Sequence, residues 1–246
     1  MVEGMNATGS SVRRLGPAQL KAVFGTGPSA SSSPRGPRVL LAGKLTALDA
    51  PGGGEIQMLA TAGALPSVGV EARLWRPWEE PLAGVDVLHL FGSLPEHLPV
   101  VEAARRRGVR VVLSTIAWFD PAAYFRDGRR LAGRLRACAG LAARAACPRI
   151  PSWRRRLYHA VDLLLPNSNA EAAQLTRYFG VPAERIHAVP NGADPRFAAA
   201  DPEPFVRRFG LRDFVLYAGR IEPRKNQLGF LRVRMDLSKI VIQTFG

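Results

Sequence analysis

An arginine and a lysine, Arg220 and Lys225, lie in one short loop behind an apolar run that ends on glycine. The segment reads Val215-Leu216-Tyr217-Ala218-Gly219-Arg220-Ile221-Glu222-Pro223-Arg224-Lys225-Asn226. A strand that delivers two cations and then opens a helix suits a doubly anionic group such as a diphosphate. The plainer reading of the same residues is an exposed basic loop. A second constellation, Gly52-Gly53-Gly54-Glu55, falls between an apolar run and a helical pattern. Glycines there let backbone amides approach a ligand, and a helix N-terminus favours negative charge. The spacing lacks the full GxGxxG of a nicotinamide site, and a turn that needs positive φ is the alternative. A third, Asn191-Gly192-Ala193-Asp194 after Val189-Pro190, is a strong turn former that would end a strand.

These groups need a scaffold, and the chain supplies one. Order begins at Arg38-Val39-Leu40-Leu41-Ala42-Gly43, a short buried-strand signature. Ile56, Leu59 and Ala60 then repeat at helical spacing. Val70 to Trp75, Val85 to Leu90, Val109 to Leu113, Val161 to Leu165 and Ile186 to Val189 are further strand candidates, with a helix through Val100, Val101 and Ala104. Short apolar strands alternating with helices predict βαβ units and a Rossmann-like parallel sheet flanked by helices. Ser168 and Glu171 read as a capping box, and Gly180 followed by Pro182 as that helix's end.

Composition excludes several classes. At 246 residues and 47% hydrophobic content the chain can bury a core. No uninterrupted apolar run approaches the roughly 18 residues of a membrane span, and no secretory h-region follows Arg13-Arg14. Cys138 and Cys147 form no CxxC pair, so a disulfide scaffold or structural zinc is not expected, and a reducing cytoplasm fits. The 34 basic and 20 acidic residues give a net charge of +14, most of it arginine. That reads either as coding bias on solvated faces or as attraction to polyanions. No zinc-finger, helix-turn-helix or ribonucleoprotein pattern is present, so nucleic acid is not the favoured partner. Leu131, Leu135, Cys138, Ala142 and Ala145 fall at helical spacing among Arg129, Arg130, Arg134 and Arg136. That helix could make peripheral contact with an anionic leaflet, or pack its stripe on the sheet.

Taken in order, the motifs are more specific than any one alone. The chain resembles the family-four (group 1) retaining glycosyltransferases with the two-domain GT-B fold. The resemblance rests on Gly52-Gly53-Gly54-Glu55, on Pro166-Asn167-Ser168 with Glu171, on Val189-Pro190-Asn191-Gly192-Ala193-Asp194, and on Gly219-Arg220-Ile221-Glu222-Pro223-Arg224-Lys225-Asn226. It implies transfer of a sugar from a nucleotide-sugar donor to a glycan or lipid-linked acceptor. By that resemblance Arg220 and Lys225 match the diphosphate clamp, and Gly53 and Gly54 the glycine loop facing the same phosphates. No cofactor and no metal are implied, and the chain has no Asp-x-Asp pair to hold one. Many relatives carry a histidine after the fourth strand; here that place reads Ser114-Thr115-Ile116-Ala117-Trp118-Phe119-Asp120. Ser114, Trp118 and Asp120 are therefore acceptor-side candidates. So is His89, at the end of the third strand, where α/β sheets present ligand groups; a structural histidine is the alternative there. No catalytic base is assigned.

The implied organisation is a flexible leader over 1–37, an acceptor-side domain over 38–196 and a linker over 197–212. A donor-side domain then opens over 213–231, with room for one further strand and one helix, and an atypical tail fills 232–246. The family's paired-glutamate motif is not among these residues, and the composition changes after Leu231, as a frameshift or interrupted gene would leave it. Besides a truncated transferase, a binding module for acceptor or partner and a basic polyanion-binding protein fit the residues. A purified polypeptide of this sequence is expected to transfer no sugar from any nucleotide-sugar donor. Robust turnover would refute that.

Overall fold

The computed structural model describes residues 36–44, 49, 52–119, 131–212, 215–219, 225–232 and 240–243. Five parallel strands form the main sheet: β1 (Arg38–Ala42), β2 (Glu71–Leu74), β3 (Val87–Phe91), β4 (Arg110–Ser114) and β5 (Leu163–Leu164), in the order β2-β1-β3-β4-β5. The chain moves outward from β1 to β2, then returns to the other side of β1. That reversal puts a topological switch point between β1 and β3, where open α/β sheets leave a crevice beyond the strand carboxyl ends.

The helices are α1 (Gly53–Ala64), α2 (His97–Arg106), α3 (Leu131–Ala146), α4 (Trp153–Ala160) and α5 (Asn169–Phe179). They sort to two faces because strand side chains alternate. Val39, Leu41 and Phe91 pack with Met58 of α1. Leu40, Leu88, Leu90, Val111, Leu113 and Leu164 point to the other face, where Val101, Leu157, Tyr158, Leu175 and Phe179 of α2, α4 and α5 cover them. Each fully buried leucine contributes about 2 kcal/mol, so this second layer is the principal core. The sheet is thus Rossmann-like and flanked by helices, as the alternation predicts.

Two aspartates fix the amino edge. Asp86, just before β3, accepts from the Arg38 amide at 2.7 Å, and Asp162, just before β5, accepts from the Val111 amide at 2.7 Å. Each polar residue in these apolar runs is therefore a register pin for the neighbouring strand.

Several details differ from expectation. In α1 the residue turned to the core is Met58, while Ile56 and Leu59 are exposed. The helix meets β1, β2 and β3 through Met58, with Ala62 packed beside it, and Ile56 and Leu59 face outward. The fifth strand is two residues long, and Ile186 contributes only an isolated bridge to Leu164. In α3, Leu141 is buried but Leu131 and Leu135 are exposed, and the helix packs on α5 rather than laying its stripe on the sheet. Further on come α6 (Glu203–Phe209), β6 (Val215–Ala218), α7 (Gln227–Arg232) and β7 (Ile240–Gln243), with β6 and β7 paired in parallel. A helix therefore lies within the stretch that composition marks as a linker.

The Ser168–Glu171 pair is only half a capping box. Ser168 Oγ accepts from the Glu171 amide at 3.1 Å, and Gly180 closes the same helix at φ 63°. The Glu171 carboxylate does not return to the cap residue. Its Oε1 accepts from Thr115 Oγ1 at 2.5 Å and from the Ala117 amide at 2.7 Å, and its Oε2 from the Asn167 amide at 2.9 Å. It is 4% exposed, so removing it leaves buried donors unpaired. Glu171→Ala is expected to lower stability by about 3 kcal/mol, read as a shift in the urea midpoint. A change below about 0.5 kcal/mol, the size of an ordinary surface substitution, would contradict this role.

Candidate functional site

The carboxyl edge of the sheet gathers most of the residues that the sequence singles out. Helix α1 begins here, with Gly52 as its cap at φ −107° and ψ −168°, an extended conformation open to any residue. Gly53 and Gly54 are helical, so none of the three glycines answers a need for positive φ. The difference lies in space. Among the described residues no atom comes within 4 Å of where a Cβ on Gly53 would sit, whereas on Gly54 it would meet Ile116 Cδ1 at 3.1 Å. Gly54 admits the loop after β4, and Gly53 keeps the ground before the helix clear. Glu55 accepts from the Gly52 amide at 2.8 Å, leaving the next amides of the first turn without an intrahelical partner.

That loop is held under strain. Ile116 has φ 44°, a left-handed conformation that a β-branched side chain rarely adopts. Glu171 grips the residues on either side of it, and Gln174 adds two bonds to the Phe119 backbone, at 3.0 and 2.9 Å. Across the edge, Gln57 Nε2 donates to Asn167 Oδ1 at 3.1 Å. Behind it, Tyr158 donates to Ser93 Oγ at 2.9 Å, and Ser93 donates to the Thr115 carbonyl at 2.7 Å. Burial pushes the Tyr158 hydroxyl up to about 12, which keeps it protonated as the donor.

His89 and Ser114 meet, Nε2 to Oγ at 2.9 Å, and the imidazole stacks on Phe91 at 4.3 Å between centroids. Both are buried. Desolvation holds the His89 ring at about 4, well below its ordinary value. A buried, neutral, hydrogen-bonded ring between two strands is the pattern of a structural histidine. Trp118, by contrast, is 57% exposed beyond the strained loop. Asp120 lies outside the described residues.

Lys225 is exposed. Its carbonyl accepts from the Tyr217 hydroxyl, and Tyr217 packs on Phe230 at 5.3 Å. Asn226 then turns at φ 56° and starts α7. The Tyr217 side chain thereby fixes the backbone at Lys225. Gly219 takes φ 156°, which L side chains rarely adopt; Arg220, which follows, lies outside the described residues. Among the described residues no group of three His, Cys, Asp or Glu could hold a metal ion, and no helix is long and apolar enough to cross a membrane.

One residue escaped the sequence reading altogether. His97, in the first turn of α2, is 3% exposed, and neither ring nitrogen has a hydrogen-bond partner among the described residues. Burial lowers its pKa, partly offset by the nearby Gly43 and Gly92 backbone, which falls short of hydrogen-bond geometry. The ring lines a groove of about 1130 Å³ beyond β1 and β2. No motif marks it, because the signal is the missing partner.

A family model described as Glycosyltransferase Family 4 matches residues 59–197, more than half of the chain. The match includes β2 to β5, His89, Ser114, Trp118 and Glu171, and leaves Gly53, Gly54 and Lys225 outside. No curated protein matches the chain.

The histidines set a pH response. Below about 6.5 the unfolded chain takes up a proton that folded His89 refuses until about 4. Stability is thus full above that window and falls as the pH drops through it. From pH 7 to pH 5 the His89 share of the loss is about 2 kcal/mol. Urea midpoints should fall accordingly, and His89→Gln should flatten the slope. An unchanged slope would show that the ring titrates alike in both states.

Proposed function

The chain belongs to glycosyltransferase family 4, and on that premise we propose that its fold is built for transfer of a sugar from a nucleotide-sugar donor to a glycan or lipid-linked acceptor, in a form that does not turn over by itself. Residues 38–196 are the acceptor-side domain in this reading, residues 197–212 the connection, and residues 213–231 the opening of the donor side. The bond between the anomeric carbon and the phosphate oxygen breaks, and its electron pair leaves with the diphosphate. The acceptor hydroxyl oxygen bonds to that carbon, and its proton goes to the departing phosphate. We propose that the anomeric configuration is retained.

The observation that carries this reading is the clear ground at Gly53. Neither backbone conformation nor packing demands a glycine there. A phosphate close to the amides of the α1 first turn does demand one, because a side chain would stand in its way. Lys225, with Arg220 by its place in the motif, would meet the charge that builds on the leaving diphosphate. The unpaired Cys138 and Cys147 support a reducing compartment, and the cytoplasm is the one proposed. Exposed Leu131 and Leu135 on an arginine-rich helix support peripheral contact with an anionic leaflet.

Calorimetric titration with uridine and guanosine diphosphates tests the donor half. At least one should bind, with affinity that falls as salt rises. Lys225→Ala should weaken it roughly five- to tenfold. Gly53→Val should weaken it as well while leaving the melting temperature within a few degrees. Equal affinity for the diphosphate and the bare nucleoside would refute phosphate recognition.

A further inference from the structure

The groove beyond β1 and β2 is lined by neither His89 nor the glycine turn. Its inner wall carries His97, whose two ring nitrogens are buried without hydrogen-bond partners among the described residues. A buried imidazole left unpaired costs about 1–3 kcal/mol, and a ligand hydroxyl reaching it would recover that loss. The outer wall is the loop after β2. There the Trp75 indole is fixed by a hydrogen bond from Nε1 to the Glu80 carbonyl at 3.2 Å, and Trp78 stands 90% exposed. A tryptophan presented so fully to water is a stacking face without an occupant.

Charge narrows the ligand. The chain as a whole carries +14, yet the described lining sets Lys44, Arg73 and Arg76 against Glu79, Glu80 and Glu96. Arg73 is paired with Glu80, and Arg76 with Glu79 at 3.0 Å. An anion entering here meets carboxylates beside each guanidinium, and a cation meets the reverse. What suits the surface is an uncharged molecule with hydroxyls on its rim and an apolar C–H face. A pyranose ring has both.

We propose that this groove is a subsite for a neutral pyranose unit of the acceptor glycan, with Trp78 as the stacking platform and His97 as the inner hydrogen-bond anchor. The inference rests on the transferase reading above and narrows its acceptor to an uncharged sugar at this position.

The test uses the full chain with three neutral probes, maltotriose, mannotriose and chitotriose, followed by tryptophan fluorescence and saturation-transfer NMR. At least one should bind. Trp78→Ala should weaken that binding at least about tenfold without moving the melting temperature. His97→Leu should weaken it too, with His97→Gln restoring part. Phe197→Ala, an exposed aromatic elsewhere, should leave it unchanged. Absence of binding by all three probes overturns the proposal. So does binding that Trp78→Ala does not alter, or tighter binding of glucose 6-phosphate than of glucose. Titrating uridine and guanosine diphosphates into the same samples separates the two readings. Nucleotide binding without sugar binding removes the groove alone; sugar binding at Trp78 without nucleotide binding removes the transferase reading and leaves a glycan site.

Discussion

Three chain segments converge on the Glu171 carboxylate: the loop after β4 through Thr115 and Ala117, the turn after β5 through Asn167, and α5 itself, on whose first turn it rides. Removed from water, a carboxylate persists only with donors around it. Here those donors are the groups that a sheet leaves loose at its carboxyl edge. The helix dipole at the start of α5 adds to the same balance. One charge therefore holds several loop positions at once. The strained Ile116 is kept between two of its bonds, and Ile116 in turn sets how closely α1 can approach at Gly54. The geometry of the glycine turn thus depends on a residue that will not touch a ligand.

The two buried histidines near that edge show how burial alone misleads. Both have lost water, and in both the neutral ring is favoured. His89 regains a partner in Ser114 and a stacking face in Phe91, so its desolvation is offset within the protein. His97 gains only the nearby Gly43 and Gly92 backbone and the Glu96 charge, with no hydrogen bond of good geometry among the described residues. His89, expected at a strand end but lying in the middle of β3, is the satisfied one, and His97, the first residue of α2, carries the unmet capacity.

Much of the fold was legible because the strands are buried on both faces, which turns β1, β3 and β4 into continuous apolar runs. Less was legible where tertiary contact decides orientation. The repeat of Ile56, Leu59 and Ala60 marks α1 correctly as a helix, yet the face turned to the sheet is the one bearing Met58 and Ala62. The stripe on α3 fails for the same reason: Leu141 finds α5, and Leu131 and Leu135 find water. Glu171 was legible as a cap but not as a clamp, since its partners Thr115 and Ala117 are over fifty positions away. The groove was invisible, because Trp78 and His97 come together only when β2 and α2 flank β1. Arg220 and Asp120 fall outside the described residues, and Lys225 is seen only as a fixed backbone with an exposed side chain.

The glycine turn carries the last step. Glycine is kept in a chain for one of two physical reasons: a conformation that other residues resist, or a volume that they would fill. At Gly52, Gly53 and Gly54 the first reason is absent, because their backbone angles are ordinary. At Gly54 the second is met inside the protein by Ile116. At Gly53 it is met by nothing among the described residues. Glu55 holds one amide of the first turn and places a negative charge beside it, so an arriving anion must displace that carboxylate or share the helix end with it. An isolated helix dipole contributes less than about 1 kcal/mol to such a contest. A second positive group is therefore required before a diphosphate can settle there. That requirement is the physical reason for which the proposed reading pairs the glycine turn with a basic loop such as the one bearing Lys225.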